Sequence, residues 1–275
     1  MEEIISLNWL HEHLQDQDIV IVDCRFNLAD PQEGWKAYLS GHIPGAVFFD
    51  LEKDLSGQVL EHGGRHPLPD VEELALKLGR AGIDATKTVI AYDDQGGQYA
   101  PRFWWLLRYL GHEQVAVLDE GYSAWCAQGL STSSELPSPL KTTFVATPHD
   151  EMLEQVEAIE QGEVGLLIDS RAPDRYRGEN ETIDPKAGHI PGALNRFWMD
   201  NLRNQKWLSS NELRERFADL QAAASITVYC GSGVTACANV LAMTRAGLTN
   251  VKLYPGSWSD WISYNDHAIE TAPSK

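Results

Sequence analysis

Cys230 opens the loop C-G-S-G-V-T, and its surroundings suit a reactive sulfur. The run Ile226–Tyr229 before it reads as a β-strand, and T-A-C-A-N-V-L-A-M-T-R-A from Thr235 has helical composition. A cysteine there lies at the C-terminal end of a strand, where ligands bind in open α/β folds. Gly231 and Gly233 let the backbone curl, so that successive N–H groups can converge on one centre. The following helix adds its positive N-terminal end. Such donors favour thiolate over thiol, whose free pKa is about 8.5. They also suit the anionic outer sulfur of a persulfide, the product when a thiolate takes sulfur rather than carbon from its substrate.

The remaining cysteines, Cys24, Cys126 and Cys237, read as small buried hydrophobes. No pair forms C-x-x-C and no histidine completes a zinc pattern, so neither metal nor cofactor is expected. Asp plus Glu number 40 against 22 Lys plus Arg, a net charge of −18. That balance argues against nucleic acid as a partner and against docking on anionic lipid, and mainly favours solubility. It also opposes a thiolate, but most carboxylates should lie beyond the screening length of about 8 Å, so local dipoles should win. The start M-E-E-I-I-S-L-N-W lacks a positive leader, and no apolar run approaches the roughly 20 residues of a membrane span. With few cysteines and no framework spacing, the expected compartment is reducing and the expected address cytoplasmic.

The elements that must position Cys230 are visible because the chain repeats itself. I-V-I-V-D-C-R followed by G-H-I-P-G-A-V-F in residues 19–51 returns as G-L-L-I-D-S-R and G-H-I-P-G-A-L-N in residues 165–197. Asp23 and Asp169 are 146 positions apart, and His42 and His189 are 147 apart. The strand ending before Asp93 matches the one ending before Cys230 at an offset of 137, and Trp125 matches Trp261 at 136. Short β-rich runs (19–22, 89–92, 115–118; 166–168, 226–229, 251–254) alternate with helical-period segments such as 71–81 and 211–220. Alternating strands and helices predict an α/β fold: two tandem domains, each a mostly parallel sheet covered by helices on both faces. The expected bounds are 1–130 for an inactive domain, 131–150 for a polar, Pro-broken linker, and 151–275 for the catalytic domain.

The duplication supplies an internal control. Features in both halves serve the fold: the pairs Asp23/Arg25 and Asp169/Arg171 as buried charge pairs at strand ends, and His42 and His189 as parts of fixed turns. Features in one half are candidates for chemistry. The twin of Cys230 is Asp93, in D-D-Q-G-G-Q, and a carboxylate is no sulfur nucleophile. Arg175 is also one-sided, since its counterpart is Ala29.

D-S-R, R-Y-R-G, the two G-H-I-P-G-A runs and C-G-S-G-V-T together resemble the tandem sulfurtransferases of the rhodanese superfamily, over nearly the whole chain. The resemblance implies that Cys230 takes a sulfane sulfur and passes it to cyanide, a small thiol or thioredoxin. Thiosulfate-preferring relatives place Arg and Lys after the cysteine, whereas Gly231 and Ser232 are similar to the 3-mercaptopyruvate branch. In that branch the loop serine works with a histidine and an acidic group from the first half. The matching residues are His66 in R-H-P-L-P and Glu52, with Asp50 as the alternative acid. The resemblance makes Arg175 the substrate-carboxylate arginine, a task suited to a guanidinium fork. Gly231, Gly233, Val234 and Thr235 would then line the loop. A second arginine is usual a few residues on, but this chain has E-N-E-T-I-D-P-K there, which leaves Lys186 as the substitute and thiosulfate as an alternative donor. Cysteine phosphatases share the fold, but their C-x5-R loop needs an arginine where Ala236 stands. A non-catalytic sulfur-binding module would have no use for an activated thiol.

Overall fold

The computed structural model describes residues 1–271. The chain forms two compact units. Unit 1 comprises Met1–Gly57, Leu68–His149 and Asn204–Trp207; unit 2 comprises Gln58–Pro67, Asp150–Arg203 and the chain from Leu208 on. The ten residues 58–67 thus leave the first half of the sequence and pack as part of the second unit.

Unit 1 holds a five-stranded parallel sheet built from β1 (Ile4–Ile5), β2 (Ile19–Asp23), β3 (Val47–Phe48), β4 (Thr88–Tyr92) and β5 (Val115–Leu118), in the order β1-β5-β4-β2-β3. β4 and β5 are almost wholly buried runs of Val, Ile, Ala, Tyr and Leu, as expected where both faces of a sheet are covered. The helices are α1 (Leu7–Glu12), α2 (Glu33–Ser40), α3 (Val71–Arg80), α4 (Ala100–Tyr109) and α5 (Gly121–Ala127). Asp70 caps α3 by accepting from the amides of Glu72 and Glu73, and Lys77 and Arg80 suit the negative end of its dipole. Pro101 sits in the first turn of α4, where its missing N–H costs nothing. Residues 131–149 are bonded onto the same unit, with Ser133 bridging His42, and the Thr142 and Thr147 amides donating to Gly79 and Leu110.

Unit 2 repeats the plan with four parallel strands: β6 (Leu166–Asp169), β7 (Leu194–Asn195), β8 (Ile226–Tyr229) and β9 (Val251–Leu253), in the order β9-β8-β6-β7. Its helices are α6 (Val156–Glu160), α7 (Pro173–Tyr176), α8 (Ser210–Arg216), α9 (Ala236–Arg245) and α10 (Ser257–Trp261). Ser209 and Glu212 close a capping box on α8, and Arg216 ends that helix where the sequence pattern ran on to Leu220; a 3₁₀ turn covers the difference. From Ala236 to Met243 every side of α9 is buried.

The repeated motifs do the same work in each unit. Arg25 Nη2 meets Asp23 Oδ2 at 2.6 Å and donates to the Gly41 carbonyl at 2.7 Å; Arg171 treats Asp169 and Gly188 likewise, both at 2.6 Å. These charges are fully buried, so each pair has its lone pairs and protons matched, without which burial would be prohibitive. His42 and His189 bond the carbonyls of Tyr38 and Tyr176 and stack on those rings at 4.1 and 3.7 Å. They are structural residues. The indoles of Trp125 and Trp261 donate to Ser131 and Ala268. Among the described residues no helix is long and apolar enough to cross a membrane.

Candidate active site

Register places the site. Asp169 on β6 pairs with Tyr229 on β8, so the chain leaves the sheet at Cys230. The loop that follows turns into α9 within six residues. Gly233 makes that turn with φ +75°, and a Cβ there would fall 2.3 Å from the Pro255 carbonyl oxygen, so no other residue fits. Three hydrogen bonds tie the loop to α10: the Cys230 amide donates to Ser257 Oγ at 3.1 Å, and the amides of Trp258 and Ser259 donate to the carbonyls of Cys230 and Gly231. Cys230, Gly231, Ser232, Gly233 and Val234 are buried, and Thr235, the residue before α9, is half-buried.

The segment 58–67 delivers two further side chains. It is anchored on α10 by the Gly63 amide to Asp260 Oδ1 at 2.7 Å and the Arg65 amide to Ser259 Oγ at 3.1 Å, and His62 bonds Ser263 Oγ. His66, buried, shares a hydrogen bond of 2.8 Å between its Nδ1 and Ser232 Oγ. Arg65 lies over Gly231: a Cβ built there would be 3.1 Å from Arg65 Nη2 and 3.6 Å from Arg175 Nη2. Burial pulls the Arg65 pKa down and so does Arg175, while Cys230 pushes it back up.

Arg175 itself comes from α7, whose Pro173 sits in the first turn. Its Nε donates to Glu181 at 3.0 Å and its Nη2 to Asp184 at 2.9 Å. Asp184 also pairs with Arg65. The buried acids Glu181 and Asp184 come from the E-N-E-T-I-D stretch where the resemblance would place a second arginine.

The structure thus gathers Cys230, Gly231, Ser232, Gly233, His66 and Arg175 in unit 2. Lys186 belongs to the same unit, but its Nζ donates to the Ile262 carbonyl at 2.8 Å. Glu52 belongs to unit 1, where its side chain is exposed; Asp50 is buried and accepts from the amides of Glu52 and Lys53. Arg65 was not among the residues the sequence singled out, although it immediately precedes His66. Cys24 and Cys237 are buried as expected, and burial pushes the Cys24 thiol up. Cys126 corrects the reading as a buried hydrophobe: it is exposed, because it follows the buried Trp125 on α5 and one helical step of about 100° turns it outward.

The twin loop in unit 1 shows what this backbone path does to an anion. Asp93 Oδ1 accepts from the amides of Gln95 (3.1 Å) and Gly97 (2.9 Å), and Oδ2 from Tyr99 (2.8 Å) and Ala100 (2.9 Å). Four amides, two of them at the start of α4, converge on one buried carboxylate. Burial still wins over those donors and raises its pKa.

The Rhodanese-like domain family matches residues 6–128 and again 150–264. A Pseudomonas aeruginosa protein named "Probable 3-mercaptopyruvate sulfurtransferase" is 43% identical over 270 residues, covering 95% of each chain. Mouse thiosulfate sulfurtransferase is 34% identical, over 94% of this chain and 91% of its own. The solved structure of 3-mercaptopyruvate sulfurtransferase from Leishmania major superposes with a TM-score of 0.83 at 30% identity, over 94% of this chain and 73% of that one. With two copies of one domain and full-length relatives of both names, the chain belongs to the rhodanese family, as a tandem-domain sulfurtransferase.

Proposed function

We propose that the protein moves a sulfane sulfur from 3-mercaptopyruvate, through a persulfide on Cys230, to a thiol, thioredoxin or cyanide. The observation that carries this reading is the buried contact of His66 Nδ1 with Ser232 Oγ, two residues from the cysteine. Mercaptopyruvate carries a thiol next to a ketone. The Cys230 thiolate attacks that sulfur, forming an S–S bond as the C–S bond breaks, and the electron pair leaves as the enolate of pyruvate. One proton returns the enolate to pyruvate. The Ser232 hydroxyl backed by His66 is the group poised to supply it, a general-acid role worth typically 10²–10⁴-fold. The second step is the same exchange reversed: the acceptor thiolate or cyanide attacks the outer sulfur, and Cys230 leaves as thiolate.

In this reading residues 151–275, joined by 58–67, form the catalytic domain, with Gly231, Gly233, Val234 and Thr235 shaping the sulfur loop and 1–130 otherwise inactive. Of the two acids that the resemblance offers, Glu52 is exposed and Asp50 is buried. The fit to a soluble small-molecule enzyme of the cytoplasm rests on composition. Thiosulfate is the second reading, favoured by the name of the mouse relative.

The ratio of kcat/KM for the two donors tests the choice. Mercaptopyruvate is expected to lead by an order of magnitude or more; a thiosulfate lead of that size would overturn the assignment of the donor.

A further inference from the structure

The two guanidiniums beside Gly231 are held in an unusual way. Asp184 spreads its two oxygens between them, Oδ1 toward Arg65 Nη1 and Oδ2 toward Arg175 Nη2, the latter at 2.9 Å. Glu181 takes Arg175 Nε at 3.0 Å and also reaches Arg171 Nη1 at 3.4 Å. Both acids are nearly inaccessible, at 1% and 2% of side-chain exposure, while Arg65 and Arg175 keep 34% and 18%. The acids therefore sit behind the arginines. Arg65 Nη2 would meet a Cβ at position 231 at 3.1 Å, with the Arg175 terminal nitrogens at 3.6 and 3.8 Å. Gly231 keeps that space open.

We infer that Arg65 is a substrate-binding residue: with Arg175 it forms a two-pronged cradle over Gly231 for the carboxylate of a small donor, braced from behind by Asp184. The task that Lys186 would otherwise perform falls to a residue of the 58–67 segment. This inference rests on the sulfur-transfer reading of Cys230 and adds the group that recognises the donor. The charge count also bears on specificity. Arg65, Arg171 and Arg175 face Asp169, Glu181 and Asp184, a formally balanced set. Beside a thiolate, such a set accommodates a monoanion through directed N–H donors but offers no surplus charge to a dianion.

Two donors of the same chemistry separate recognition from reaction: 3-mercaptopyruvate, and mercaptoacetone, which carries the same thiol and ketone but no carboxylate. The readout is the ratio of their kcat/KM values, with competitive inhibition by pyruvate as a binding measurement. Arg65→Gln is expected to lower the ratio roughly ten- to a hundredfold, the range of hydrogen bonds to charged groups, and to weaken pyruvate inhibition in parallel. Arg65→Lys, which keeps the charge that pairs with Asp184, is expected to recover part of both. An unchanged ratio in Arg65→Gln would overturn the inference, as would an equal loss with both donors. If the unaltered protein takes sulfur from neither compound nor from thiosulfate, the reading of Cys230 fails instead.

Discussion

The loop after β4 and the loop after β8 leave equivalent strands of equivalent sheets, but different groups meet the backbone they offer. In unit 1 the Asp93 carboxylate fills its own cradle of four amides. In unit 2 the side chain at that place is a sulfur, flanked by His66 and Ser232 and by the Arg65–Arg175 pair. The difference teaches that one strand-end position can hold a carboxylate satisfied by the amides of its own loop in one copy and a cysteine with quite different neighbours in the other. A second contrast lies just beyond. Gly121 in unit 1 and Ser257 in unit 2 are equivalent, and both take left-handed backbone, φ +77° and +56°. At Gly121 a Cβ would fall 2.7 Å from the Asp93 carbonyl oxygen, so glycine is required. At Ser257 a side chain is tolerated despite a backbone cost of about 1–2 kcal/mol, and its buried hydroxyl accepts from the Cys230 amide and donates to the Tyr254 carbonyl at 2.9 Å.

The sharpest way to break the comparison is to move the nucleophile. Cys230→Ala is expected to lower sulfur transfer by at least roughly 10⁴-fold. Adding Asp93→Cys to that variant should restore nothing, because the loop D-D-Q-G-G-Q carries no serine to match Ser232 and its hydrogen bond to His66. Measurable turnover by the double variant would show that the loop alone suffices. Next in size, Ser232→Ala should lower kcat for mercaptopyruvate by about 10²-fold while leaving the KM within a few fold. A loss confined to KM would assign Ser232 to binding.

Stability measurements probe unit 1. Asp93→Ala leaves four buried amides without their acceptor, at an expected cost of about 3 kcal/mol in urea unfolding. A loss below about 1 kcal/mol would show that water or a shifted loop replaces the carboxylate easily. The smallest expected effect separates two variants of Ser257. Ser257→Ala loses the acceptor for the Cys230 amide and keeps the strained backbone; Ser257→Gly loses the same acceptor but relieves the strain. The alanine variant should therefore be less stable by about 1 kcal/mol, although it is the milder change in composition. The reverse order would mean that the left-handed turn costs nothing here.

Much of this was legible in the sequence because the duplication made it so. The strands from Ile19, Thr88, Val115, Leu166, Ile226 and Val251 are runs of apolar residues long enough to carry a pattern. Strands β1, β3 and β7 are two residues each and exist only because a neighbour's amides are there to pair, which no periodicity reports. The pairing of Cys230 with Asp93 and the structural histidines followed from comparing the halves. Arg65 did not, because its position over Gly231 depends on residues 58–67 packing with the second unit, a long-range event without a local signature. The acids of E-N-E-T-I-D looked like a missing arginine; they are the brace for two arginines already present. The substitution of Gly121 by Ser257 was a readable signal, since a side chain in place of glycine at a left-handed turn demands a compensating bond.

The central claim, one reactive sulfur in a loop whose twin is closed, is tested most directly by intact mass after exposure to donor. Incubation with 3-mercaptopyruvate, followed by removal of excess donor and peptide mapping, should show a gain of one sulfur atom on Cys230, released by cyanide or a thiol. The gain should be absent from Cys24, Cys126 and Cys237. No adduct with either mercaptopyruvate or thiosulfate, or an adduct on any cysteine but Cys230, would contradict the account.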